Sequence, residues 1–163
     1  MFSIEPKDLF EIHSISEDSD FRDYVDTDPT GLKIISLEYP GCNERVLYSE
    51  AGDFEKWIRK SKPEINIEVE KVNRKLVLQS GDYWLPLVFL ASDVTLPIYL
   101  NIVASYLYDK IKGALKGEKP RVHFSAVYQD ELAGVTKKVE FEGDIDALSK
   151  IITKININKL LND

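Results

Sequence analysis

The longest uncharged run in the chain lies between Tyr83 and Tyr108, where Asp93 is the only formal charge. A membrane-spanning helix needs about 20 apolar residues, and this run is long enough. Its polar positions argue against that reading. Pro86 and Pro97 each remove a backbone donor and tend to end a helix at the preceding residue. Asp93 would sit near mid-bilayer, where a carboxylate is costly, and Asn101 adds a further polar group. The run therefore divides into a short apolar piece over Tyr83–Ala91 and a long helix that starts near Pro97, since proline suits a first helical turn.

On 3.6-residue spacing, Leu100, Val103, Ala104, Leu107, Ile111, Ala114 and Leu115 share one face of that helix. Ile98, Tyr99, Ile102 and Tyr106 share the opposite face, which becomes polar at Asp109, Lys112 and Lys116. A helix apolar all round is buried on both sides. That burial has two readings. The helix is the chain's own core, or Tyr99, Ile102 and Tyr106 dock against another protein chain or a second copy.

The remaining pattern predicts short elements. Leu32–Tyr39 reads as a strand closed by Pro40-Gly41, with Arg45–Tyr48 returning as a hairpin. Gly52-Asp53 opens a short helix with Asp53 as N-cap, Phe54, Trp57 and Ile58 facing inward, and Pro63 as its stop. Ile65–Glu70 alternates as a half-buried strand, and Lys75–Gln79 returns after a turn at Asn73-Arg74. Arg121–Tyr128 and Val135–Glu142 form two more strands around Gly134, and Gly143-Asp144 opens a last helix. Phe21, Tyr24 and Val25 suggest a brief amphipathic helix near the N-terminus. The predicted fold is α+β, with antiparallel β-hairpins packed around a long central helix and shorter helices beside it. One domain over residues 1–163 is expected, with 1–81 and 82–163 as its possible halves. GDFEKWIRK and GDIDALSKI hint at an internal repeat.

Charge changes the picture at the N-terminus. Residues 1–28 hold nine acidic and two basic residues, which account for the whole net charge of −7; the other 135 residues hold 19 of each. Phosphate recognition needs the opposite sign, so no nucleic-acid partner is expected. Acidic segments can occupy basic grooves, which makes Asp20, Asp23 and Asp26 candidate partner-binding residues alongside Tyr99, Ile102 and Tyr106. A single cysteine, Cys42, excludes an internal disulfide. It fits a reducing compartment, and with no basic-then-apolar leader at the start the expected location is cytoplasmic.

Candidate chemistry is sparse. The sequence contains no GxSxG, P-loop, GxGxxG or HExxH pattern, and no catalytic residue, cofactor or metal is expected. Asp26, Asp28, Thr30 and Gly31 imitate the start of a calcium loop, but its twelfth position is Leu37 rather than an acid. Cys42 has no histidine near it in sequence. His13 sits among carboxylates. His123, on strict alternation, faces away from Val122, Phe124 and Ala126, beside Ser125. Asp93 either caps or hydrogen-bonds near the following helix, or is a functional carboxylate that forms a small-molecule or hydrolase site with His123.

The layout of residues 83–155 runs from an apolar, proline-bearing stretch through a long helix and two strands to a helix opened by FEGDIDALSKII. It resembles small bacterial proteins known as effector-associated constant components, accessory parts of prokaryotic conflict systems. The resemblance implies an accessory or regulatory subunit and carries over no catalytic residue. The expected function is a non-enzymatic protein-interaction module.

Overall fold

The structure is a computed structural model that describes residues 8–15, 30–41, 43–72, 74–76, 82–112, 120–130 and 134–162. It is an α+β fold. The strands are β1 (Leu9–Ile15), β2 (Leu32–Ile35), β3 (Leu47–Tyr48), β4 (Ile67–Val69), β5 (Lys75–Leu76), β6 (Tyr83–Leu90), β7 (Val122–Asp130) and β8 (Val135–Gly143). The helices are α1 (Glu50–Ser61), α2 (Leu96–Ile111) and α3 (Ile145–Asn162). Six strands make one mixed sheet in the order β1-β8-β7-β6-β2-β4, and β3 and β5 make a separate two-stranded one.

The expected hairpins are only partly present. β7 and β8 pair antiparallel around a turn in which Gly134 takes φ 67°. The segment before α1 makes a single antiparallel bridge, Leu37 to Val46. Its strand β3 instead runs parallel to β5, and β4 runs parallel to β2. Parallel neighbours need a crossover rather than a tight turn. Two helices supply it: α1 lies between β2 and β4, and α2 between β6 and β7, which are also parallel.

β6 is an inner strand, antiparallel to β2 and parallel to β7. Its residues Val88, Phe89 and Leu90 are all buried, the continuous apolar signature of a strand covered on both faces. Proline has no ladder donor and is confined to edges or bulges. Pro86 accordingly falls where the β6–β7 register slips by one residue, between Trp84 and Leu87.

All three helices contribute to one core cluster with Leu32, Leu85, Val88, Phe124 and Phe141 of the sheet, and this cluster draws on both halves of the chain. α2 starts as expected, with proline in its first turn. Among the described residues, no helix is long and apolar enough to cross a membrane. α1 begins a turn earlier than the Gly-Asp signal suggests. Ser49 occupies its N-cap position, because Ala51, Phe54 and Ile58 are the positions it buries. Asp53 lies inside the first turn rather than at the cap and pairs with Lys110. Asp144, by contrast, accepts the Ala147 N–H at 2.8 Å in the first turn of α3. The two Gly-Asp segments thus do different jobs.

Candidate functional site

Successive strand residues point to opposite sheet faces. In β7 and β8, Val122, Phe124, Ala126, Val139 and Phe141 therefore join the helices, while His123, Ser125, Lys138, Glu140 and Glu142 occupy the other face. Register sets them in rows. Leu9, Glu142, His123 and Trp84 run across β1, β8, β7 and β6, followed by Glu11, Glu140, Ser125 and Leu87. A small second cluster of Ile35, Phe89 and Val127, with Ile15 and Leu87, contains no helix residue.

His123 is the organising side chain of this face. Its ring stacks on Trp84 at 3.8 Å with 1° between planes, and Trp84 in turn lies 5.6 Å from Tyr48. Nε2 lies 3.0 Å from Asp82 Oδ2 and Nδ1 lies 2.7 Å from Glu142 Oε1, with the imidazole only 12% exposed. A carboxylate only accepts, and a neutral imidazole has one donor. Both contacts are hydrogen bonds together only when the ring carries two protons or one carboxyl carries the missing one. Burial pushes the Tyr48 phenol up, with the Tyr39 phenol adding to the shift, so its hydroxyl stays protonated as a donor.

His123, Trp84, Tyr48 and Glu142 line a cavity of about 410 Å³, reached also by Glu38, Lys138 and Glu140. Lys138 pairs with Glu140 at 3.2 Å, and Glu38 lies 3.7 Å from Arg45. A carboxylate has about four acceptor positions, so Glu142, 43% exposed, and Glu38, 85% exposed, retain capacity toward a ligand. Ser125 follows His123 on the same face, yet both imidazole nitrogens are directed at carboxylates. A histidine so engaged holds no position for activating a serine.

The residues expected to bind a partner are placed otherwise. Tyr99, Ile102 and Tyr106 are 0%, 3% and 1% exposed inside the chain's own core, because residues of α1 and of the sheet pack around them in one cluster. Phe54 of α1 and Phe124 of β7 both meet Tyr99 edge-on. That face is therefore not presented to a partner. Asp20, Asp23, Asp26 and Cys42 lie outside the described residues. Asp93 and His123 do not meet: His123 is opposite Trp84 near the start of β6, and Asp93 follows its end at Leu90. Asp93 is exposed and accepts the Gly31 N–H at 2.8 Å. Sequence reasoning missed Trp84, Asp82, Glu142 and Tyr48. The alternation that turned His123 outward would also have turned Glu142 outward, but nothing in it says that they are neighbours.

Compared with protein-family models, curated proteins and solved structures, the chain matches none.

Proposed function

We propose that this chain is a non-enzymatic binding protein whose cleft at Trp84 and His123 takes a small organic cation bearing an amine or guanidinium group. The observation that carries the reading is His123 held between Asp82 and Glu142 in a cleft whose rim adds Glu38 and Glu140. Donor-rich, positively charged groups suit such acceptors, and the apolar sides of Trp84 and Leu87 suit a flat or aliphatic body. The proposed location is the cytoplasm, on the lone cysteine.

The test is titration of agmatine, spermidine and arginine amide against matched carboxylates, read by Trp84 fluorescence in a Trp57→Phe background. Saturable quenching by the cations, weakened at least tenfold by Glu142→Gln, supports the reading. Equal response to the anions, or no response to any cation, refutes it.

A second reading, the accessory subunit that acts by protein contact, is favoured by the outer stripe of α2. Ile98 and Tyr108 are 43% and 64% exposed, and Tyr108 borders a groove formed with Ile145 and Ser149 of α3. Its proposed occupant is a second copy. Sedimentation velocity of the wild-type chain and of Ile98→Glu/Tyr108→Glu tests it: a dimer that dissociates in the double variant supports it, and a monomer at high micromolar concentration opposes it.

A further inference from the structure

β1 is an edge strand, and one of its faces carries Glu11 and His13 two residues apart. Across the β1–β8 pair, Glu11 stands directly opposite Glu140 and His13 opposite Lys138. One imidazole nitrogen and two carboxylate oxygens from Glu11, His13 and Glu140 lie within 4.8 Å of one another. Two like charges directly opposite in an antiparallel pair are destabilising. Lys138, 3.2 Å from Glu140, meets that repulsion from one side only.

We propose that Glu11, His13 and Glu140 form a binding site for a divalent first-row transition metal ion. Metal–ligand bonds of about 2.0–2.2 Å put neighbouring donors roughly 3–4.3 Å apart, so small side-chain rotations bring these three onto one ion. The set of one imidazole and two carboxylates selects the class. Oxygen ligands alone suit magnesium and calcium, whereas imidazole shifts preference to zinc, iron or nickel. Three protein donors leave coordination positions for water or a further ligand. An ion there removes the Glu11–Glu140 repulsion. Glu140 also lines the cleft, so the ion lies at its rim; the metal site stands whether or not the cleft takes an organic cation.

The experiment is calorimetric titration of zinc chloride into the full-length, metal-stripped protein in a non-coordinating buffer, with ¹⁵N imidazole spectra recorded alongside. The chain has only two histidines, so His13 and His123 are separately resolvable. The expected result is one saturable site that raises the melting temperature and shifts a ring nitrogen of His13. His13→Ala and Glu11→Gln, both at exposed positions, should keep the fold and weaken zinc at least tenfold. Excess magnesium should not displace it. Zinc affinity unchanged in both variants, a response at His123 without one at His13, or equal competition by magnesium would each overturn the proposal.

Discussion

The rings of Trp84 and His123 are register partners on neighbouring parallel strands and stack with 3.8 Å between centroids. The stack fixes the imidazole plane, and the plane aims one nitrogen at Asp82 and the other at Glu142. The two contributions separate by substitution. His123→Phe keeps an aromatic surface against Trp84 and removes both polar contacts, leaving two half-exposed carboxylates without their donor. It should cost about 1–3 kcal/mol in urea unfolding, the usual penalty for orphaning such partners. A change below a few tenths of a kcal/mol would mean that the carboxylates gain nothing from the ring.

Two buried tyrosines on one helix should answer oppositely to loss of a hydroxyl. The Tyr106 hydroxyl donates to Glu50 at 2.5 Å and its ring packs edge-on against Phe54 and Trp57. Tyr99 is fully buried, and its hydroxyl has no hydrogen-bond partner among the described residues. Removing a satisfied donor leaves Glu50 short of a partner, whereas removing an unsatisfied one lifts a desolvation penalty. Tyr106→Phe is expected to destabilise by about 1–2 kcal/mol, and Tyr99→Phe to be neutral or stabilising by up to about 1 kcal/mol. Chemical denaturation of the two variants side by side is the check. A loss of similar size in both would mean that the Tyr99 hydroxyl is satisfied after all.

What the sequence made legible, and what it hid, follows from the reach of local patterns. A helix apolar on both sides announces its burial whatever surrounds it, and Tyr99, Leu100, Ile102, Val103, Tyr106 and Leu107 are all buried in α2. Alternation likewise turned His123 away from Phe124. Neighbour relations are not written in periodicity. The pattern of Ile67–Val69 is the same whether it pairs with β5 as a hairpin or, as found, parallel with β2. The aromatic stack was hidden for the same reason, since Trp84 sits in an apolar run that reads as core. The bulge at Pro86, which sets Trp84 beside His123 and Leu87 beside Ser125, depends on a register that only the assembled sheet defines.

Acid should weaken the contact between α1 and α2 before it reaches the core. Lys110 Nζ lies 2.7 Å from Asp53 Oδ2 and 3.9 Å from Glu50 Oε2. The hydrogen bond and charge of Lys110 hold the Asp53 carboxyl below the usual carboxylate range. Partial burial works against the Lys110 ammonium, but its bond to Asp53 and the charges of Glu50 and Asp53 outweigh it and raise the group. A carboxyl lowered on folding adds stability above its unfolded pKa, and that stability is lost as pH falls through the folded value. An ammonium raised on folding adds stability below its unfolded pKa, lost as pH rises through the folded one. The pair thus supports the neutral range and fades at both ends. Asp53→Asn should flatten the acid side of a plot of melting temperature against pH from about 5 to 2, and Lys110→Met should flatten both ends. Acid limbs of wild type and Asp53→Asn that superimpose would place the acid sensitivity elsewhere.

The loop that joins β6 to α2 is pinned to the start of β2 through backbone that tolerates no side chain. Gly31 has φ 83°, and a Cβ built there would lie 2.2 Å from the Asn66 carbonyl oxygen. The neighbouring Leu32 N–H donates to that same carbonyl at 2.8 Å, so Asn66 cannot withdraw without breaking the entry into the β2–β4 pair. The Gly31 carbonyl accepts the Ala91 N–H at 3.0 Å, while its own N–H donates to Asp93 at 2.8 Å. Gly31→Ala combines an unfavourable backbone region with a clash against backbone, and should cost at least about 1–3 kcal/mol. Asp93→Ala removes one exposed acceptor, and water can replace it, so about 0.5–1.5 kcal/mol is expected. Differential scanning calorimetry orders the two. If Asp93→Ala proves the more damaging, the loop is held by the carboxylate rather than by the steric fit of Gly31 against Asn66.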